Sequence, residues 1–391
     1  MSGVLSSTLE ITEAPPAWME ALKHLRVLHV GKFYPPHMGG METHLRALCE
    51  ELSSVMEVEV IVANDERQTS EEMIDGVKVT RAATLLNISA APVCPAMTKR
   101  IRSSGADLVH LHLPNPTAIL AYFASRDRAP LVLTYHSDII RQKLLAKAFW
   151  PVLRRALERA AAVIVGSPNY IETSPILKQF RDKCRVIPFG IPFDEFQQRD
   201  AKQIAEIRQR YGSRIVLGVG RMVYYKGFEY LIRAMKDVRG QLLLIGDGPL
   251  RAELERESNA LGLKERVTFL TDVEDVRPFY QAADVFALSS VARSEAFGIV
   301  QLEAMASGVP VINTQLDSGV TFVSPHGVSG LTVPPADAKA LAEAINSLLD
   351  NPARRAELGA AGRRRVEEEF SLETMTRKTL ELYAEVLRLK A

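Results

Sequence analysis

Residues 285–307 read VFALSSVARSEAFGIVQLEAMAS. A short apolar run, Val285–Ala287, gives way to a polar loop and then to a stretch of helical period, Ile299–Ser307. Strand, loop, helix is the repeating unit of a parallel sheet, whose strands are buried on both faces and so appear as unbroken apolar runs. The same rhythm extends outward. Upstream, Ile215–Val219, Gln241–Ile245 and Val267–Phe269 alternate with helical Phe228–Val238 and Leu250–Leu261, and downstream Val309–Ile312 follows. Beyond Ala336 the pattern is purely helical to Leu389, interrupted at Asn351-Pro352 and Phe370-Ser371, which predicts three closing helices. Ser371 is placed to cap the last of them, without a full capping box because Thr374 stands three residues on.

The first half carries an independent series of predicted strands: Leu25–Val30, Val58–Val62, Val77–Thr80, Leu108–Leu111, Leu131–Thr134, Ala162–Val165 and Val186–Ile187. Helical stretches at Met41–Ser53, Leu144–Arg159 and Pro168–Phe180 separate them. Between the two series lies a polar, charge-mixed segment, Asp194–Gly212. A chain of 391 residues is also longer than one compact core usually fills. The reading is therefore α/β with two doubly wound, Rossmann-like parallel-sheet domains facing a central cleft, where ligands of such sheets bind. The expected division is a flexible leader at 1–22, an N-terminal domain at 23–195, a C-terminal domain at 196–370 and a final helix at 371–391 able to pack back on the first domain.

Composition excludes several classes. The chain has 48 basic and 47 acidic side chains, so whole-molecule charge gives no reason to expect a nucleic-acid partner. Three separated cysteines, Cys49, Cys94 and Cys184, form no C-x-x-C and fit a reducing, cytoplasmic setting. The start has no basic region ahead of an apolar core, and no apolar run approaches the roughly eighteen residues of a membrane span.

Within 294–305, Glu295 falls on the strand-to-helix loop and Glu303 about one and a half turns into the helix, so both can face a ligand lying over the helix start. Phe297-Gly298-Ile299 offers backbone N–H groups there, suited to a phosphate, while carboxylates suit the hydroxyls of ribose or sugar. A second constellation, Gly218-Val219-Gly220-Arg221-Met222-Val223-Tyr224-Tyr225-Lys226-Gly227, follows Ile215–Val219. It fails as a dinucleotide fingerprint because Val223 stands where Gly or Ala is required. Arg221 and Lys226 suit a diphosphate, and no D-x-D run offers a metal for that task. In the first domain Gly39-Gly40 precedes a helix and reads either as an anion seat or as an ordinary turn. His136 follows a strand and can face the cleft. His110 and His112 share one strand face but lack a third ligand in the sequence, so no metal site is expected.

Together these segments resemble family 4 of the retaining glycosyltransferases, whose two Rossmann-like domains form the GT-B fold. The E-x7-E of that family appears as Glu295 to Glu303, its Gly-Arg and Lys-Gly as Gly220-Arg221 and Lys226-Gly227, and its first glycine-rich loop as Gly39-Gly40. The resemblance implies that Glu303 holds the donor ribose and Glu295 touches the donor sugar. It further implies that Arg221 and Lys226 bind the diphosphate and that His136 lies beside the reacting sugar. Gly246-Asp247-Gly248-Pro249 also looks like a family loop, one that shapes the nucleotide side. The expected activity is transfer of a mannose- or glucose-type hexose from a nucleotide-diphosphate sugar to a hydroxyl of a glycan or lipid-linked saccharide. No cofactor and no metal is expected, and retention of configuration rests on the resemblance alone. A nucleotide-sugar 2-epimerase of similar shape, or a non-catalytic nucleotide-sugar-binding protein, is the alternative.

Charge is uneven beneath the neutral total: residues 1–75 hold 5 basic and 13 acidic side chains, residues 76–200 hold 18 and 9. Within the second stretch Arg141–Arg159 interleaves Arg141, Lys143, Lys147, Arg154, Arg155 and Arg159 with apolar residues. It reads either as a helix lying on an anionic membrane surface, peripheral to the inner face, or as a core helix with a solvated basic face. Pro151 predicts a kink or a break into two helices.

Overall fold

The computed structural model describes residues 17–37, 39–88, 91–138 and 143–389. In the N-terminal domain the strands are β1 Arg26–Val30, β2 Glu57–Ala63, β3 Ser70–Ile74, β4 Val77–Ala82, a small hairpin of β5 Leu86–Ile88 and β6 Ala91–Val93, then β7 Leu108–Leu113, β8 Leu131–Tyr135, β9 Ala162–Val165 and β10 Cys184–Val186. Eight of them form one sheet in the order β10-β9-β8-β7-β1-β2-β4-β3, parallel except that β3 runs antiparallel to β4. The C-terminal domain has β11 Ile215–Val219, β12 Gln241–Ile245, β13 Val267–Leu270, β14 Val285–Leu288, β15 Val311–Thr314 and β16 Gly330–Val333, in the order β13-β12-β11-β14-β15-β16. All its pairings are parallel. Strand order reverses between β1 and β7 in one sheet and between β11 and β14 in the other. Crossover helices leave on opposite faces at such points, so a crevice opens at the strands' carboxyl ends.

Side chains of the central strands are buried on both faces, as parallel sheets require. The flanking helices bury one stripe each: in Ala338–Leu349, capped by Asp337, the stripe is Leu341, Ala342, Ile345, Leu348 and Leu349.

The chain passes between domains twice, side by side. Ile191 N–H donates to the Phe370 carbonyl (3.0 Å), and Leu372 N–H donates to the Ile191 carbonyl (2.9 Å). A Cβ on Gly190 would lie 2.5 Å from the Ser371 carbonyl, so glycine is what lets the two passages touch. From there Leu372–Leu387, with Ser371 Oγ accepting from the Thr374 amide, packs on the helix Gly40–Ser53 of the N-terminal domain.

Several expectations are corrected. Of the flexible leader, residues 1–16 lie outside the described residues, while Ala17–Leu22 is a helix whose Leu22 is fully buried in the core with Leu45 and Tyr383. Pro168–Phe180 is not one helix: Pro175 excludes continuation past Ser174, and the chain forms Pro168–Thr173 followed by a 3-10 turn at Leu177–Lys183. Phe189, Ile191 and Phe196 already pack in the C-terminal core, so the first crossing falls just ahead of Asp194–Gly212. Lys143–Arg159 is a single helix with Pro151 inside it. Its Leu153, Ala156 and Leu157 are buried in the N-terminal core, and Phe149, Trp150 and Val152 pack against that core. From Phe149 onward its apolar face is thus occupied. Arg159 donates to the carbonyls of Arg128 and Ala129 at 3.1 and 3.2 Å, Arg154 pairs with Glu158, and Arg141 lies outside the described residues.

Candidate active site

The C-terminal half of the site forms at the β11/β14 reversal. Gly220, with φ of 145°, turns the chain away from β11 so closely past Lys226 that a Cβ there would lie 3.1 Å from Lys226 Cε. Gly227, in left-handed conformation, abuts β14's outgoing chain: a Cβ would come within 2.3 Å of the Ser289 carbonyl. These two glycines carry Lys226 to the Glu295 loop, where Nζ sits 2.6 Å from Glu295 Oε2. Ser290 Oγ donates to the same carboxylate oxygen at 2.9 Å. Both members of the pair are buried. Burial alone lowers the Lys226 ammonium's pKa, but Glu295 overrides it and the net direction is upward, so the ammonium stays charged.

Glu303 enters from the helix Ile299–Ala306. Tyr280, fully buried, donates its hydroxyl to Glu303 Oε2 at 2.7 Å. Burial raises the Glu303 pKa, while Tyr280 and Lys226 oppose that rise. The carboxylate is thus oriented on one oxygen, leaving the other to accept from a ligand hydroxyl. Gly298 caps this helix in left-handed conformation; Gln301 N–H donates back to the Gly298 carbonyl at 2.9 Å, and the N–H groups of Ile299 and Val300 precede that first bond. Phe297 faces inward, its ring 4.9 Å from Phe189 and 6.1 Å from Phe370 in the C-terminal core, and its edge abuts Gly166 of the N-terminal domain, where a Cβ would lie 3.0 Å from Phe297 Cδ2. Gly246 and Gly248 press against Gly220 and Met222: a Cβ on either would meet that loop's backbone within 2.6 Å. Gly248 accordingly shapes the loop carrying Arg221.

From the other domain, Gly40 faces Ile299 across the cleft, a Cβ there lying 3.9 Å from Ile299 Cδ1. Gly39, in extended backbone, caps the helix Gly40–Ser53. Lys32, just past β1, was not singled out by sequence. Burial lowers its pKa, Glu42 opposes the shift and Arg221 of the facing domain adds to it. The charge of Arg221 is thus felt unfavourably at Lys32, a repulsion that a polyanion bound between them relieves. The available signal was a lysine at the reversal-point strand end, in the loop leading to Gly39-Gly40.

His136 follows β8, 7% exposed, its ring 5.1 Å from those of Phe189 and His44. Its Nε2 lies 3.2 Å from His112 Nδ1. Behind it, third imidazoles absent from the local sequence reach His110 and His112 from other elements. Among the described residues, the ring nitrogens of His29, His110 and His112, and those of His44, His112 and His136, lie within 4.8 Å of one another. All five imidazoles are held neutral by burial, His29 and His44 down to about 3 and the other three well below the usual value.

Arg293 latches the two domains, donating to Asp138 Oδ2 at 3.0 Å and to the Thr173 carbonyl at 2.7 Å. Tyr135 and Ser174 hydroxyls hold the other Asp138 oxygen. The loops named from sequence thus lie at the strand reversals of paired Rossmann-like sheets, the architecture of the GT-B class.

Residues 38–195 match the family described as Glycosyltransferase Family 4, and residues 200–365 match Glycosyl transferases group 1. The chain belongs to glycosyltransferase family 4 and is an enzyme. It is 33% identical over 372 residues to the O-antigen chain mannosyltransferase C of Escherichia coli, covering 94% of this chain and all of that one. It is 35% identical over 353 residues to the D-rhamnosyltransferase WbpZ of Pseudomonas aeruginosa, covering 89% of this chain and 92% of that one. A GDP-mannose-dependent alpha-(1-6)-phosphatidylinositol monomannoside mannosyltransferase of Mycolicibacterium smegmatis is 30% identical over 360 residues, covering 86% and 92%. Among solved structures, the sucrose-phosphate synthase of Thermosynechococcus elongatus superposes with a TM-score of 0.80 at 26% identity, covering 94% of this chain and all of that one. Among the described residues no helix is long and apolar enough to cross a membrane.

Proposed function

We propose that this glycosyltransferase moves a mannose-configured hexose from a guanosine-diphosphate sugar to a hydroxyl of a lipid-linked saccharide during polysaccharide assembly, retaining anomeric configuration and without a metal ion. The observation that carries the donor reading is the buried cation Lys226, held 2.6 Å from Glu295 on the loop that leads to the Gly298 helix start. Guanosine and mannose configuration are favoured by the mannosyl- and rhamnosyltransferases to which the chain is similar.

In this reading Arg221, Lys32 and the first-turn N–H groups take the diphosphate, and Lys226 shares its charge between the diphosphate and Glu295. The second oxygen of Glu303 accepts from the ribose, and Glu295 and His136 contact the sugar. The bond from the anomeric carbon to the diphosphate oxygen breaks as the acceptor hydroxyl bonds to the same carbon on the same face. The hydroxyl proton passes to the departing diphosphate. Negative charge grows on that diphosphate in the transition state, where fixed cations and N–H dipoles lower the barrier.

The test is a thermal-shift panel of nucleotide sugars followed by transfer assays with excess chelator. Stabilisation by GDP-mannose above all others, with chelator-resistant, acceptor-dependent release of GDP, is expected. Preference for a uridine donor, a metal requirement, or epimerised donor without acceptor would each overturn the corresponding part.

A further inference from the structure

Five histidines from four separate elements of the N-terminal domain meet in its interior, and most of their ring nitrogens are hydrogen-bonded in one continuous line. Tyr383, on the last helix, begins it: its hydroxyl lies 2.6 Å from His110 Nδ1 and 3.2 Å from His29 Nε2. His29 Nδ1 is 3.0 Å from His112 Nε2, and His112 Nδ1 is 3.2 Å from His136 Nε2. At the far side His110 Nε2 meets Thr134 Oγ1 at 2.7 Å.

A neutral imidazole has one N–H and one bare nitrogen, so fixing one proton in this line fixes the rest. The two Tyr383 contacts differ in length. Hydroxyl donors reach about 2.5–3.0 Å and N–H donors about 2.7–3.2 Å, so the 2.6 Å contact is the hydroxyl donating to His110, and the 3.2 Å contact is His29 donating to the phenol oxygen. His110 then carries its proton on Nε2 and gives it to Thr134. His29, protonated on Nε2, presents a bare Nδ1 to His112 Nε2–H. His112 in turn presents a bare Nδ1 to His136 Nε2–H, and the line ends with His136 bare at Nδ1. The reversed line would make Tyr383 an acceptor at its short contact and leave His136 a donor.

We propose that Tyr383, acting through His29 and His112, sets the tautomer of His136, so that His136 presents a hydrogen-bond acceptor at Nδ1 to a sugar hydroxyl in the cleft. Tyr383, His29 and His112 are positioning residues; none lies at the reacting atoms. The use made of Nδ1 rests on the donor-site reading above, whereas the tautomer itself does not. The consequence is selectivity: a buried acceptor favours a substrate with a hydroxyl at that position over one lacking it.

The experiment is long-range proton–nitrogen correlation on full-length protein labelled at histidine nitrogens, with the His136 signals assigned by their loss in His136→Gln. The expected result is pyrrole-type Nε2 and pyridine-type Nδ1 in the parent protein. In Tyr383→Phe, which removes both the donor to His110 and the acceptor for His29, the His136 nitrogens should move toward the average of two tautomers. The same variant should lose about tenfold in kcat at unchanged donor KM, the scale of one hydrogen bond. His136 protonated on Nδ1 in the parent protein would overturn the proposal without any variant having to fold. Unchanged His136 shifts in a folded Tyr383→Phe would overturn it equally. The expected tautomer with no transfer from any nucleotide sugar would sink the functional reading and leave this one standing.

Discussion

Burying five neutral imidazoles makes the N-terminal domain sensitive to mild acid. Each has a folded pKa below its unfolded value of 6.5, with His29 and His44 at about 3. Below pH 6.5 the unfolded chain therefore takes up protons that the native state refuses. The stability they contribute is present above pH 6.5 and is lost as pH falls toward about 3. Between pH 7.5 and 5 this linkage removes about 2 kcal/mol per imidazole, so His29 and His44 account for about 4 kcal/mol and the other three act in the same direction. A domain's whole stability is about 5–15 kcal/mol, so unfolding should begin near pH 5, well above the range where carboxylates protonate. The protein carries its own reporter, because its two tryptophans, Trp18 and Trp150, both lie in this domain. Urea titrations followed by tryptophan fluorescence at half-unit steps from pH 7.5 to 5 should show the midpoint falling steeply. The C-terminal domain, whose only histidine is the exposed His326, should keep its far-ultraviolet circular dichroism. His44, with both ring nitrogens buried and unpartnered, is the residue to replace: His44→Leu should recover about 2 kcal/mol at pH 5 relative to pH 7.5. A midpoint flat from pH 7.5 to 5 would refute the burial of neutral histidines.

Arg221→Ala and Lys226→Ala should each lower kcat about a hundredfold under saturating donor, the scale of removing one transition-state charge partner; near-parental kcat in both would remove them from the diphosphate site. Lys226→Met should also destabilise the C-terminal domain by about 3–5 kcal/mol, because buried Glu295 is left without its counter-charge, and adding Glu295→Gln should restore most of that in calorimetry. Glu303, its pKa raised by burial, costs stability once ionised, so Glu303→Gln should raise the melting temperature at pH 7 while weakening donor binding. That gain should shrink toward pH 4.5, where the parental carboxyl is itself protonated. Replacing Lys147 and Arg154 with Gln should reduce cosedimentation with anionic vesicles but not zwitterionic ones if the acceptor is lipid-borne, each charge being worth about 1 kcal/mol near the surface; unchanged sedimentation would favour an acceptor in solution.

Most of the architecture could be read along the chain because parallel strands announce themselves locally. Ile215–Val219 has no polar side chain and Gln241–Ile245 is apolar after its first residue, and the strands observed have those bounds. Ser70–Ile74 escaped because it is an exposed edge strand of sequence SEEMI, with no buried face to impose alternation. Gly330–Val333 is four residues long and follows a glycine-rich turn, too short for any period. Within the site, the types and loops of Arg221, Lys226, Glu295 and Glu303 were legible, but not their pairing. Lys226 and Glu295 were read as serving different parts of a ligand, and only folding shows that they hold each other. The histidine line is the extreme case. Its members are separated by between two and several hundred positions, and nothing near any one of them predicts the others.

The return of the last helix to the first domain bears on how the molecule is made. A ribosome releases the N-terminal domain's strands first, yet Tyr383 and the apolar face of Leu372–Leu387 complete that domain's core. Domains commonly fold as they emerge; this one can assemble its sheet early but cannot finish until some two hundred later residues have been synthesised and the second domain has brought the chain end back. In the interval Leu45, Leu48 and Leu52 are left without their cover, so the nascent chain offers chaperones a defined apolar surface on the helix Gly40–Ser53. That same helix begins at the glycines of the cleft, so the cleft cannot assume its final shape before the last turn of the chain is in place.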